Sequence, residues 1–329
     1  MELVIGGQKL EGPILIPSIS NFETQGSVVE AIKLQHALNE PITLVSAHDT
    51  ADDKDLIDRV IEFRSNGKLI FIDSGGYESS RIGRYVENYS QKWDFSAFKQ
   101  AVCSCPYDLA ASYDYFIEDS MTAEDYSYKL LDGMRDHDFI DKGKLVPVVH
   151  LKDFSGGRYL SRKEAVDTVD RVAIELDPQF IAIPERELGN GLAQKADLVK
   201  AIVDELRSKG RRTQLHVLGC GNPLSFAILA NAGIAMADGL EWCRTLVGPQ
   251  FHLHHFQQAE LFPEPENTVY NPMAELIRDE VDSYQTRTLA RNLHALQGYA
   301  QQVAGAIKAG SMKDFVRANF GPDAAAICG

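Results

Sequence analysis

Two aspartates stand where an apolar run gives way to a polar, glycine-rich tip. The first ends Leu69-Ile70-Phe71-Ile72 and opens Asp73-Ser74-Gly75-Gly76-Tyr77. The second lies inside Ile234-Ala235-Met236-Ala237-Asp238-Gly239-Leu240, a run with little other charge. A carboxylate in so apolar a setting must be paired, kept neutral or put to chemical use. The two glycines after Ser74 let backbone approach a ligand without Cβ obstruction, although a polar turn closing a strand would also account for them. Arg244, six residues beyond Asp238, could meet a phosphate or steady a carboxylate. Gly219-Cys220-Gly221-Asn222-Pro223 reads as a loop of close backbone approach leading into a helix N-terminus, and an ordinary strand-to-helix turn has the same spacing. Asp114 and His150 end two further apolar runs.

The elements that would hold these residues are legible as eight apolar runs: Ile14 to Ile19, Ile42 to Ala47, Lys68 to Ser74, Asp108 to Asp114, Leu145 to Leu151, Phe180 to Glu185, Gln214 to Cys220 and Ile234 to Leu240. Most gaps carry a helical pattern: Val28 to Leu38, Leu56 to Phe63, Leu192 to Leu206, and a helix opened by Pro223. Eight strands alternating with helices predict an α/β fold, a closed (β/α)8 TIM-like barrel, whose active site lies at the C-terminal strand ends. Both aspartates would sit on that rim. The barrel is expected over 1–255. A helical C-terminal portion packed on it is expected over 256–329, with helices at Met273 to Ser283, Thr288 to Ala309 and Lys313 to Asn319.

The 329 residues suffice for one barrel and a small appendage. No apolar run is long enough to span a membrane, and the N-terminus lacks the basic-then-apolar order of a signal peptide, so a cytoplasmic location is expected. The net charge of −14 argues against a large nucleic-acid footprint, although a local basic patch can outweigh the total. Five cysteines, an odd count in a chain of this size, read as free thiols. Cys103-Ser104-Cys105 has no second pair at zinc spacing. His252, His254 and His255 cluster, and alternation would send His252 and His254 to one side of a strand, but no carboxylate or cysteine at suitable spacing completes a ligand set.

Taken together, these residues resemble the tRNA-guanine transglycosylase superfamily. The family's Asp-Ser-Gly-Gly-Phe/Tyr-Gln corresponds to Asp73-Ser74-Gly75-Gly76-Tyr77-Glu78. Its Met-Gly-Val-Gly-Thr-Pro corresponds to Leu218-Gly219-Cys220-Gly221-Asn222-Pro223. Its Gly-hydrophobic-Asp-Met-Phe-Asp-Cys corresponds to Gly233 through Gly239, followed by Arg244. Asn292-Leu293-His294 and the helix after it resemble the family's terminal helix. The match runs in order over most of the chain, and its first and third motifs are the specific ones.

The resemblance implies a base-exchange enzyme acting on nucleic acid. Asp238 would attack C1′ as guanine leaves, giving a covalent glycosyl-enzyme, and Asp73 would carry the proton between leaving and entering bases. Ser74, Gly75, Gly219 and Glu185 would contact the base, Tyr77 would stack on it, Asp114 would read its Watson–Crick edge, and His150 would stand where the family has a base-contacting glutamine. Arg186 and Arg244 would meet phosphate. The family's zinc cysteines are missing and Arg291 replaces the histidine, so no metal and no cofactor is expected. Pro184-Glu185-Arg186 replaces a Gly-Gly-Leu of the base pocket, and Glu78 replaces a glutamine. Without the zinc module, DNA is favoured over tRNA as the partner, with a 7-deazaguanine base as co-substrate. A separate helper protein could supply nucleic-acid affinity, and barrels of this type often pair as homodimers. Two other readings stand beside this one: a hydrolytic nucleoside or nucleotide N-glycosidase, and a non-catalytic subunit of a base-modification complex.

Overall fold

The computed structural model describes residues 2–328 apart from 22, 25–26, 52, 77–92, 119, 154–156 and 263–283. Tyr77, Glu78 and the helix expected at Met273 to Ser283 lie outside the described residues.

The chain opens with an antiparallel hairpin of β1 (Glu2–Ile5) and β2 (Gln8–Glu11). Eight parallel strands follow: β3 (Ile14–Ile19), β4 (Ile42–Ser46), β5 (Leu69–Asp73), β6 (Leu109–Ala111), β7 (Leu145–Val146), β8 (Phe180–Pro184), β9 (Gln214–Leu218) and β10 (Met236–Gly239). They form one sheet in the order β7-β6-β5-β4-β3-β10-β9-β8. Its two edges meet just beyond β7. Val148 bridges Ala182 there, Val149 N–H donates to Ala182 O at 2.8 Å, and Ala182 N–H donates to Pro147 O at 2.9 Å. The sheet is thereby a (β/α)8 barrel.

Between the strands run α1 (Val28–Ala37), α2 (Lys54–Ser65), α3 (Phe95–Ser104), α4 (Ala123–Met134), α5 (Arg162–Leu176), α6 (Leu192–Ser208) and α7 (Pro223–Ala232). Their starts follow local chemistry. Ser27 and Asp53 accept hydrogen bonds from first-turn amides of α1 and α2, and Thr122 with Asp125 and Ser161 with Glu164 form capping boxes on α4 and α5. Asn222 caps α7 ahead of Pro223, and Gly233 ends it at φ 114°, a left-handed conformation that favours glycine. After β10 come a short hairpin, β11 (Thr245–Val247) and β12 (Leu253–His255), and then α8 (Tyr284–Ala309) and α9 (Met312–Phe320). Helix α8 contacts α1, α7 and β3, the place of a barrel's eighth helix. No helix among the described residues is long and apolar enough to cross a membrane.

Side-chain alternation along the strands sorts the core. Ile14 and Ile16, Ile42 and Leu44, Leu69 and Phe71, Val146 and Val148, Phe180 and Ala182, and Met236 fill the barrel interior together with Leu3 and Ile5 of the hairpin, which close its floor. Going up the same inward rows, the next residues are polar: Ser18, Ser46, Asp73, His150 and Asp238. The interior is therefore oily at the N-terminal end and chemically equipped at the C-terminal end.

Candidate active site

A cavity of about 260 Å³ opens at the C-terminal strand ends. Each of the eight strands, or the segment just after it, contributes lining residues. Asp73, Ser74, Asp114, His150, Glu185, Arg186, Gly219, Asp238 and Arg244 all line it. Gly75 does not. It stands beside the cavity at φ 76°, where an added Cβ would lie 2.8 Å from the Cβ of His48.

Asp238 is nearly buried, at 6% exposure, and both its oxygens are engaged. Ser18 Oγ donates to Oδ2 at 2.7 Å. His216 Nε2 lies 2.9 Å from Oδ1, which also accepts from the Gly219 amide at 3.2 Å. Three donors offset the cost of holding this carboxylate away from water. The strand end carrying it is tightly constrained. A Cβ on Gly239 would stand 2.2 Å from Gly221 Cα, so the loop after β9 can press onto β10 only where both residues are glycine.

Asp73 ends β5. Burial, then the neighbouring carboxylates of Asp114 and Asp238, push its pKa up to about 7, against the opposing pull of the Ser74 and Gly75 amides. It is thus poised to hold or release a proton near neutrality.

Asp114 sits three residues past the end of β6, the strand being shorter than the apolar run around it. Its Oδ2 accepts from Ser74 Oγ at 2.5 Å, and its Oδ1 faces His150 Nε2 at 2.9 Å. His150 Nδ1 lies 3.1 Å from Glu187 Oε1, while Glu187 Oε2 accepts from the Leu151 amide at 2.9 Å. Burial alone would lower the His150 pKa, but the carboxylates of Glu187 and Asp114 outweigh it and raise it to about 9. The His150 ring is therefore clamped between two carboxylates that favour its charged form. Gly76 makes room for this network, since a Cβ there would fall 1.8 Å from Asp114 Oδ2.

At the mouth, Glu185 pairs with Lys195 at 2.6 Å. Arg186 lies 3.9 Å from Glu187, and Arg244 pairs with Glu241 at 2.7 Å and Glu23 at 3.7 Å. Both arginines expected to meet phosphate thus stand beside carboxylates at the cavity rim.

Comparison of the chain with protein-family models and with curated proteins gives no match. The geometry alone therefore bears on function. It adds residues that sequence reasoning passed over: Ser18, His216, Glu187 and Glu241. Ser18 and His216 carried a readable signal, each being the polar member of an inward-facing row. Glu187 had none, because it lies in a single 3-10 turn, Glu185–Glu187, after β8, too short to show a periodicity.

The histidines near β12 do not converge on a common point. His252 packs edge-on to Phe320, His254 packs against Phe262, and His255 Nδ1 accepts from the Gln257 amide. The five cysteines are free thiols. Among the described residues no group of three or more His, Cys, Asp or Glu is arranged to hold a metal ion.

Proposed function

We propose that this protein exchanges guanine in nucleic acid, DNA in preference to tRNA, for a 7-deazaguanine base through a covalent glycosyl-aspartate. The observation carrying the reading is that Asp73 and Asp238, from distant parts of the chain, line one cavity and differ in environment. Asp238, held by three donors, is the nucleophile. Its lone pair attacks C1′ while the C1′–N9 electrons leave with the base. Asp73, with a pKa of about 7, gives that base a proton and later takes one from the incoming base. Asp114, held by Ser74 and His150, accepts from the donor edge of a guanine-like ring, and that hold supports the role. The guanine must leave its stack to reach so enclosed a site.

Guanine-labelled DNA, tRNA and guanosine, each incubated with and without a 7-deazaguanine base, test this reading. Release that depends on the added base supports exchange. Release without it supports the hydrolytic N-glycosidase, which the net charge of −14 favours by disfavouring a polyanion. No release from any of the three supports a non-catalytic role. Asp238→Asn should abolish the covalent adduct, and an adduct of undiminished yield in that variant refutes the assignment.

A further inference from the structure

The two oxygens of Asp238 are not equivalent. Oδ1 takes two N–H donors, from His216 and Gly219, and Oδ2 takes one hydroxyl, from Ser18. Ser18 and Gly219 both line the cavity, whereas His216 is fully buried beneath it and does not. Oδ1 is therefore tied through His216 to the buried wall, while Oδ2 is held only by a hydroxyl of the cavity lining.

The two sets of donors also differ in freedom. A serine hydroxyl rotates, so Ser18 can withdraw its proton as Oδ2 forms a bond. The Gly219 amide is fixed in the backbone. The His216 ring is fixed too, buried and packed edge-on to Phe71 with centroids 5.0 Å apart. Its Nδ1 is buried with no hydrogen-bond partner, a place where a proton would find no acceptor, so the ring carries its proton on Nε2 and directs it at Asp238.

We propose that Asp238 attacks through Oδ2 alone, and that His216, a positioning residue, joins the Gly219 amide in a two-donor cradle for Oδ1. The inference rests on the base-exchange reading. In the first step an Oδ2 lone pair bonds to C1′ and the glycosidic electron pair leaves with the base, which Asp73 protonates. Oδ1 becomes the ester carbonyl oxygen and keeps both donors. In the second step the incoming base nitrogen, giving its proton to Asp73, bonds to C1′, and the C1′–Oδ2 pair returns to the carboxylate. Negative charge then reappears on a group whose donors are already aimed at it, which is where preorganised donors count most. The cradle thus makes Asp238 a good leaving group, and its loss should slow breakdown of the ester more than its formation.

Two measurements test this. Nitrogen-15 spectra of histidine-labelled protein should show His216 protonated at Nε2 and bare at Nδ1. The opposite tautomer, or a doubly protonated ring, would overturn the proposal whatever the activity. For the second, radiolabelled guanine-containing DNA and 7-deazaguanine are the probes, and the readout is the fraction of enzyme held as a denaturation-resistant adduct. His216→Leu should slow breakdown about tenfold or more and raise that fraction. His216→Gln, which restores an N–H donor, should return the fraction toward native. Ser18→Ala, which removes the donor from the attacking oxygen, should not raise it. Equal slowing of both steps in His216→Leu, or a glutamine variant as altered as the leucine one, would leave His216 a packing residue and overturn the proposal. Should His216→Leu not fold, a rise in Ser18→Ala equal to or above that in His216→Gln overturns it. Native protein that forms no adduct overturns the base-exchange reading and its attack step, while the spectrum still decides whether His216 donates to Asp238.

Discussion

Two aspartates in one cavity acquire different chemistry from their immediate surroundings. Asp238 accepts from three donors. Asp73 accepts from two amides, yet burial and two neighbouring carboxylates prevail and lift it to about 7. The activity consequence has a definite sign. On the base-exchange reading, adduct formation would need Asp73 protonated and should fall as pH rises through about 7, whereas displacement by the incoming base would need it ionised and should fall as pH drops through the same value. Single-turnover rates of the two half-reactions against pH test this, and Asp73→Asn should remove both inflections. Stability follows linkage. A carboxyl raised from 3.8 to about 7 on folding contributes stability that is fully present below about 4 and lost as pH rises through 7. Asp73→Asn should accordingly be more stable than native at pH 8, by about 1–3 kcal/mol, with a smaller gain at pH 5, as read by urea unfolding. Asp73, Asp114 and His150 were legible because each stands at the tip of an apolar run, and Asp238 because it is the one charged residue inside such a run. Ser18 and His216 were harder to see, since one polar residue inside a strand looks like noise until alternation places it in an inward row.

At the scale of elements, the site depends on how closely the loop after β9 lies on the end of β10. Gly221 and Gly239 set that approach, and Glu241 is buried beside them. Gly239→Ala puts a methyl 2.2 Å from backbone, which cannot rotate away. The variant should lose about 1–3 kcal/mol of stability and should also lose adduct formation, because the shift displaces Asp238 from the Gly219 amide. Urea melts and trapped-adduct yield, measured on the same preparation, check both. The strands and helices themselves followed the sequence periodicity closely, with β3 running from Ile14 to Ile19 as expected. β6 and β7 are shorter than their apolar runs, because barrel closure decides where ladder pairing stops and residue type does not encode that. The opening hairpin left little trace, its second strand being Gln8-Lys9-Leu10-Glu11 with a single apolar residue.

For the molecule as a whole, eight apolar runs separated by helical patterns were enough to predict a barrel, and the sheet order bears this out. The position of α8 was not legible. Residues 240–283 separate it from β10, and no local pattern says that a helix so far along returns to β3, α1 and α7. One side chain fastens that return. Asn292 Nδ2 donates to Trp242 O at 2.8 Å and Thr245 O at 2.6 Å, and its Oδ1 accepts from the Val247 amide at 2.8 Å. Asn292→Ala would leave three backbone groups without these partners, and should cost about 2–4 kcal/mol in denaturant unfolding while lowering activity through the Trp242 segment that follows Asp238.

The bond between Ser18 and Asp238 joins residues 220 positions apart, one in the first barrel strand and one in the last. While this chain is still being made, Asp238 cannot meet the hydroxyl that holds it until β10 has followed β3 out of the ribosome. On the base-exchange reading, a nascent fragment that ends before β10 would lack the proposed nucleophile altogether. The strand that completes the wall also brings in Asp238.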